Sequence, residues 1–505
     1  MKKKNFLLIL LCVCITATFF VSCTPADDDN DGGWHIVYDD STRELAKDSI
    51  PEDFDMEGQT VGIFYAQHIE DYAIGYEEEE DIVFSKIYER NQSVQKRLNC
   101  KLEFIPSGTT EWNDVPDVLK QGIMANDGSF EVVFTTNNTV TQEKLFNYFQ
   151  DVNNSEYIDL YERWWYYDAI EETSVDGYGM RLLYGDISIA TLGNAGAIYY
   201  NKDLYEQYLS NGQGNEYLYQ VVLDGKWTLE YFKELAKRSH IELGPDGNDG
   251  DVFAFMMIRY GEPLHYFPVS CDVQYYTRDD RGMPIIAYDR DKAVKVLELL
   301  YNMLYVDNSA FLVFPDMAGQ EINYPNYFEN GRLIFNLGTL SNVLSDSMRE
   351  MQSDYGILPY PKYDEFQQEY ISFMANGTVL TGIPVSVKED RANGTVSAVV
   401  EALASESYRH VAVAFYETAL KGAYSRDDTA SQMMDIITGN HDTVSSVLTK
   451  NFVYEYSTSL SGIGTVINSL LQDKSVNFAS YYEERIDAAN VAMGELWKDY
   501  INNVI

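Results

Sequence analysis

Positive charge is scarce in this chain of 505 residues: 37 Lys and Arg stand against 79 Asp and Glu, a formal net charge of −42. A surface with that excess repels phosphodiester backbones and anionic headgroups, which excludes nucleic acid as a partner. Cysteine is nearly absent. Cys12 and Cys14 fall in the first apolar segment and Cys23 just beyond it, leaving Cys100 and Cys271 far apart in sequence. Two cysteines make no disulfide framework; free buried thiols are the expectation, with pairing left open. The six histidines form no HxH or HExxH spacing, and no GxSxG elbow or P-loop occurs. Zinc peptidases, α/β-hydrolases and P-loop NTPases are set aside. No cofactor or metal is expected. Carboxylates are plentiful, so a two-carboxylate glycoside hydrolase stays open, although no acidic pair has a recognisable catalytic context. The acidic run at 77–81 reads as a solvated loop.

What is present in excess is tyrosine: 40 residues, within an aromatic content of 14%. A tyrosine offers a flat apolar face and a polar tip, which suits sugar rings and interfaces, though most are expected to be half-buried packing groups. The chain opens with Lys2, Lys3 and Lys4 and an apolar run over 6–20, the pattern of a secretory signal and too short to span a membrane. Phe20-Val21-Ser22-Cys23 resembles a lipobox, so cleavage after 22 and a diacylglycerol on Cys23 are expected, with 23–57 as a tether. Its opening, TPADDDNDGG, has the polar composition of disordered sequence. Loss of the three lysines deepens the charge to −45.

Apolar periodicity places strands at 60–65, 101–105 and 131–134, with helices at 81–98 and 114–124 between them. Strand–helix alternation implies a parallel sheet, and such sheets bind ligands at the carboxyl ends of their strands. Tyr65 and Gln67, after the first strand, and Thr136 and Asn137, after the third, are therefore candidate contacts. Residues 181–184 read as a short strand leading into the Gly185-Asp186 turn, and 197–200 as a strand that feeds a helix capped by Asn201. Trp164-Trp165-Tyr166-Tyr167 falls on a helix-like segment from 156; Trp165 is an outside candidate for the cleft, and Asp186 a further one. Thr228 reads as the N-cap of a helix to about 239. The run GPDGNDGD at 244–251 fails the EF-hand loop pattern and reads as a turn. Residues 275–288 read as a small hairpin and 291–305 as an amphipathic helix. A crossing back at 373–387 is broken by Gly377, Gly382 and Pro384.

YYNKDLYEQY at 199–208, followed by GKWTLEYFKELAK at 225–237, resembles the carbohydrate-binding group of extracellular solute-binding proteins of ABC transporters. The run YFENGRLIFNLGT at 327–339, DYGILPYPK at 354–362 and YSRDDTASQMMDIIT at 424–438 are similar to further features of that family. The resemblance implies an α/β, two-lobe, type II periplasmic-binding-protein-like fold with hinge-linked lobes and a helical C-terminal region. One lobe is then 58–190 with about 384–420, the other 191–383 with about 421–505. The implied function is capture of a carbohydrate, an oligosaccharide by size, through hinge closure and delivery to an ABC permease. The implied protein is a monomer held by Cys23 to the extracytoplasmic face of the membrane, without catalytic activity. By position in the family, Arg259, Tyr260 and Tyr266 belong to a loop that contacts sugar, and Asn336 and Thr339 to the turn that meets the cleft. Two other readings are kept: a surface nutrient-binding lipoprotein of the starch-utilisation type, built from helical repeats, and a secreted glycoside hydrolase. Absence of ~34-residue helical periodicity argues against the first.

Overall fold

The first strand, β1 (Thr60–Tyr65), is apolar on both faces, and five of its six residues are buried. Continuous burial of that kind is what a strand inside a parallel sheet requires, because helices cover both faces. The computed structural model of the chain describes residues 40–77, 81–243, 251–258, 263–307, 309–313, 327–422, 428–439, 444–457 and 459–501. In chain order, β1 is followed by β2 (Lys101–Pro106), β3 (Val132–Thr136), β4 (Gly196–Asn201), β5 (Phe255–Ile258), β6 (Tyr276–Arg278) and β7 (Pro284–Ile286). Then come β8 (Ala310–Val313), β9 (Phe335–Thr339), β10 (Tyr355–Leu358), β11 (Tyr370–Phe373), β12 (Val379–Gly382) and β13 (Ser446–Thr449).

Two sheets carry the architecture. The first has the order β12-β3-β1-β2, with β1 parallel to β2 and β3, and β12 antiparallel to β3. The second has the order β10-β4-β9 and is antiparallel throughout. The helix Ile82–Leu98 follows β1 as expected: Asp81 caps it by accepting from the Val83 amide at 3.1 Å, and Val83, Ile87, Val94 and Leu98 form its buried stripe. Arg90 lies on that stripe too, fully buried. Its guanidinium donates to the Ile187 carbonyl at 2.7 Å, Ser407 Oγ at 3.0 Å and the Ala73 carbonyl at 3.2 Å. Burial alone draws its pKa down to about 9.

The chain passes between the sheets twice, along neighbouring paths. Leu183 bridges Thr381, and Ala195 bridges Met374. Between these points the Thr191 hydroxyl donates to the Val379 carbonyl at 2.7 Å and the Ala375 amide to the Asn194 carbonyl at 3.0 Å. Gly196 begins β4 where the path meets Tyr266 and Tyr360: a Cβ there would stand 2.7 Å from the Tyr266 ring. Gly185 is fixed by the same logic, since its Cβ would lie 2.2 Å from the Trp164 carbonyl oxygen.

Several expected elements differ. Residues 181–184 form no strand: only Leu183 pairs, exchanging both backbone bonds with Thr381, while Tyr184 accepts from the Tyr166 amide. The helix expected from 156 begins at Tyr167 (Tyr167–Glu172); before it Asp159 takes the Tyr161 amide into a turn, the local competition that keeps Asp out of helix interiors. Thr135 and Thr136 continue β3 rather than forming a loop, and Asn137 opens the helix Asn137–Gln142. Of the loop expected at 259–266, the described residues from 263 belong to the helix Pro263–Ser270, with Pro at its first position, where a missing N–H costs nothing. The caps expected at Asn201 and Thr228 are present, accepting from the Leu204 and Tyr231 amides at 3.0 and 3.2 Å. The hairpin of β6 and β7 and the helix Arg290–Tyr301 are present as well. Cys100 and Cys271 are both free thiols. The final helix, Phe478–Ile501, touches more than one neighbour: Trp497 donates to the Pro284 carbonyl in β7, and Asn147 donates to the Asp499 carbonyl at 2.7 Å.

Candidate functional site

The carboxyl ends of β1 and β3 converge beside the two crossings. Asn137, the residue after β3, is 1% exposed. Its amide donates to the Thr378 carbonyl at 2.8 Å and its Oδ1 accepts from the Tyr184 hydroxyl at 2.6 Å, so both crossings fix it. Among the described residues its Nδ2 has no hydrogen-bond partner. Asn138 follows, donating from its amide to the Asn376 carbonyl, and the half-buried Asn194 stands close to Gly377. Four asparagines and a glycine thus meet where the sheets are joined. Thr136 is buried with its hydroxyl on Thr139 Oγ1 at 3.1 Å.

At the end of β1, Tyr65 is buried, and burial first and Glu70 second push its phenol pKa up. Gln67 is partly buried and its amide donates to Ser107 Oγ at 3.1 Å, lacing the loop after β1 to the loop after β2. On the second sheet, Gly196 pairs with Thr339, so the end of β9 faces the same junction. Thr339 caps the following turn jointly with Asn342, and its hydroxyl is 2.9 Å from Ser341 Oγ. Asn336 is half-buried opposite Tyr199. Tyr266 is buried against Tyr360 and Phe373.

Two further buried candidates are committed to partners within the protein. Trp165 is 4% exposed, and its indole N–H donates to Glu401 Oε2 at 2.9 Å while that of Trp164 donates to Oε1 at 3.0 Å. Burial pushes the Glu401 pKa well above the carboxylate range, against both indoles. Asp186 is also buried and accepts from the Tyr166 hydroxyl; burial raises its pKa to about 6, with Arg43 and Tyr166 pulling the other way. The pair Trp164-Trp165 therefore braces the start of the crossing instead of opening to solvent. Arg259, Tyr260 and Cys23 lie outside the described residues.

Three features escaped the sequence. Lys450, fully buried, donates to the Met374 and Ala375 carbonyls at 2.7 and 3.0 Å, clasping the return crossing. Trp112, after β2, is 46% exposed and stacks on His68. Asp48, just ahead of β1, holds Arg97 in a two-pronged ion pair at 2.6 Å and accepts from Ser405 at 2.6 Å. A polar residue after a strand end is a readable signal; a lysine whose partners lie 75 residues away is not. A separate cavity of about 920 Å³ opens at the other end of β3, between Glu131, Gln150, Arg181 and Arg391. Its polar lining is internally engaged, with Arg391 on Glu131 and Gln150 on the Pro384 and Val387 carbonyls. Among the described residues, no cluster of three or more His, Cys, Asp or Glu could hold a metal ion, and no helix is long and apolar enough to cross a membrane.

Paired sheets, side-by-side crossings and strand ends facing the junction define the two-lobe fold of periplasmic solute-binding proteins, mixed α/β with open sheets. Solved structures of that fold superpose on the chain at probability 1.00. The sugar-binding protein MalE from Xanthomonas citri does so at a TM-score of 0.53 and 15% identity, over 86% of this chain and 98% of its own. UspC from Mycobacterium tuberculosis gives 0.53 at 10% identity, over 86% and 100%. The maltose/maltodextrin-binding domain MalE from Bdellovibrio bacteriovorus, bound to maltotriose, gives 0.50 at 11% identity, over 87% and 100%. No protein-family model matches the chain, and no curated protein matches it.

Proposed function

We propose that the chain is an extracytoplasmic binding protein that closes its two lobes on a carbohydrate and passes it to an ABC permease, without turning it over. The observation that carries this reading is the junction itself. Polar residues stand at the ends of β1, β3 and β9, the strand ends that adjoin two neighbouring crossings, an arrangement that suits a cleft closed on a ligand by hinge rotation. Bound ligand then shifts the balance of open and closed forms through its extra contacts in the closed one. Asn137, with an uncommitted Nδ2 donor, is the contact we rank first, with Tyr65, Gln67, Thr136, Asn336 and Thr339 around it. Tyr266 follows, with Arg259 and Tyr260 from the adjoining segment. Amides and hydroxyls suit sugar hydroxyls, and the absence of a required net charge suits a neutral ligand in an acidic protein. The sugar-binding proteins that share the fold support the same class of ligand.

The address follows from the start of the chain: a signal segment, a lipid on Cys23 and a polar tether are proposed, holding a monomer at the outer face of the membrane. The two-lobe fold replaces the helical-repeat alternative. A glycoside hydrolase differs from a binding protein in a measurable way. A thermal-shift screen of the protein against mono- and oligosaccharides should raise the unfolding midpoint, by about 2.7 kcal/mol of stabilisation at 100-fold over the dissociation constant, with the glycan recovered intact. A cleaved glycan makes the protein a hydrolase; no shift with any saccharide removes the carbohydrate assignment.

A further inference from the structure

The helix Ile82–Leu98 starts at Asp81, and the two oxygens of that carboxylate have different duties. Oδ1 caps the helix, accepting from the Val83 and Phe84 amides at 3.1 and 3.5 Å. Oδ2 faces the guanidinium of Arg349 at 3.5 Å. Arg349 is 268 residues further along the chain. It belongs to the other half of the molecule, at the end of the short helix Asp346–Arg349 that follows β9. Asp81 also closes the acidic run at 77–81, to which carbohydrate capture gives no role.

The two arms of this pair are rooted towards opposite ends of the first crossing. On one side Arg90, about two turns further along the same helix, donates to the Ile187 carbonyl at 2.7 Å, near the start of the crossing. On the other, the Leu340 amide donates to the Ala195 carbonyl at 2.9 Å, where the crossing ends. The chain from Leu340 to Arg349 is braced. Ser345 Oγ donates to the Asn342 carbonyl at 2.7 Å, the Arg349 amide to the Ser345 carbonyl at 3.2 Å, and the Arg349 guanidinium to the Leu344 carbonyl. Asp81 and Arg349 are therefore carried on two stiff arms, joined at one end by residues 187–195 and at the other by this ion pair. A rotation within the crossing that swings one half from the other changes the distance between them. At 3.5 Å the pair is near the limit of direct contact, so a small rotation parts it.

We propose that the Asp81–Arg349 pair is a latch between the two halves: it is made in the closed form, parts on opening, and sets how long a ligand is retained without touching it. The inference rests on the hinge-closing reading above and not on the identity of the ligand. A partly exposed pair shifts an equilibrium by up to about fivefold, and salt screens it.

Small-angle scattering of the ligand-free full chain tests it between about 0.01 and 1 M NaCl, over which the screening length falls from about 30 to about 3 Å. At low salt the wild type should have a smaller radius of gyration than Arg349→Gln, and the two should coincide at high salt. Asp81→Asn, which keeps a capping residue, should match Arg349→Gln. The double variant should be no larger than either, and Arg349→Lys should stay near the wild type. The unfolding midpoint of Arg349→Gln should be unchanged. The scattering is then repeated with gluco, manno, xylo and galacto trisaccharides. A trisaccharide that shrinks the wild type should leave Arg349→Gln up to about fivefold faster in stopped-flow displacement. A wild type that shrinks with a trisaccharide but matches Arg349→Gln at every salt concentration and in release rate overturns the latch alone. A wild type whose radius responds neither to salt nor to any trisaccharide, and equals that of Arg349→Gln, overturns the hinge-closing reading with it.

Discussion

The ammonium of Lys450 sits 2.7 Å from the carbonyl oxygen of Met374, inside the protein, just past the end of β11. A second bond to Ala375 makes it a clasp on the return crossing, whose carbonyls at that point have left β11 and not yet entered β12. An unsatisfied buried carbonyl is costly, so a charged side chain is held there for them.

Replacing Lys450 by Met keeps the aliphatic stem and removes both donors. We expect a loss of about 1–3 kcal/mol in unfolding free energy by urea titration, from the stranded Met374 carbonyl, since the Ala375 carbonyl keeps the Thr378 amide and hydroxyl. Lys450→Arg should lose less.

Glu401 offers a sharper contrast. Each carboxylate oxygen accepts one indole N–H, from Trp164 and Trp165. Gln has one acceptor and sets an N–H₂ against the other indole. Glu401→Gln should therefore cost about 1–3 kcal/mol despite its near-identical shape, and the near-ultraviolet circular dichroism of the tryptophans should change with it.

Glu172 accepts from the Tyr276 hydroxyl and has Arg278, Glu171 and Asp168 as its charged neighbours. Burial, first, raises its pKa to about 7, opposed by Tyr276 and Arg278. The folded form holds a proton that the unfolded chain, titrating near the ordinary glutamate value, has released. Its contribution is fully present below the ordinary value and is lost as pH rises through about 7. Stability should fall between pH 5 and 7 and level off above. Glu172→Gln should flatten that decline, by about 1–2 kcal/mol at pH 8 given partial exposure. Urea titrations at pH 5, 6, 7 and 8 check it.

Asp48 has the opposite sign. Burial pushes its pKa up, but Arg97, Ser405 and Arg409 outweigh that and hold it below 3.8. Its contribution is present above 3.8 and is lost as pH falls through the lowered value. Asp48→Asn should weaken the protein at pH 7, and the deficit should shrink as the pH is taken below 3.

At Asn137 the prediction concerns ligand. Asn137→Ala removes the open Nδ2 donor and should weaken saccharide binding tenfold or more, whereas Tyr184→Phe, which leaves the side-chain amide in place, should weaken it less. Titration calorimetry on the two variants separates them.

Much of the frame was legible because it is local. Asp81, Asn201 and Thr228 announce their helices by capping chemistry within three residues, and β1 to β3 announce themselves by apolar runs between amphipathic helices. The position of Asn137 after a parallel strand was legible because a local rule ties sequence to position there. The burial of Trp165 and Asp186 was not legible, because a polar or aromatic side chain near a crossing serves packing as well as ligand. Their partners, Glu401 and Tyr166, are set by tertiary packing. Trp112 was missed since neither its exposure nor its stacking on His68, 44 residues earlier, leaves a pattern in the chain.

Asp48 and Arg97 fasten the beginning of the described chain to the helix Ile82–Leu98, and Arg43 rests on the Tyr408 ring nearby. All of these grip the half of the molecule built on β1. A force applied at the start of the described chain is therefore taken up first by the Asp48–Arg97 pair, within the half built on β1.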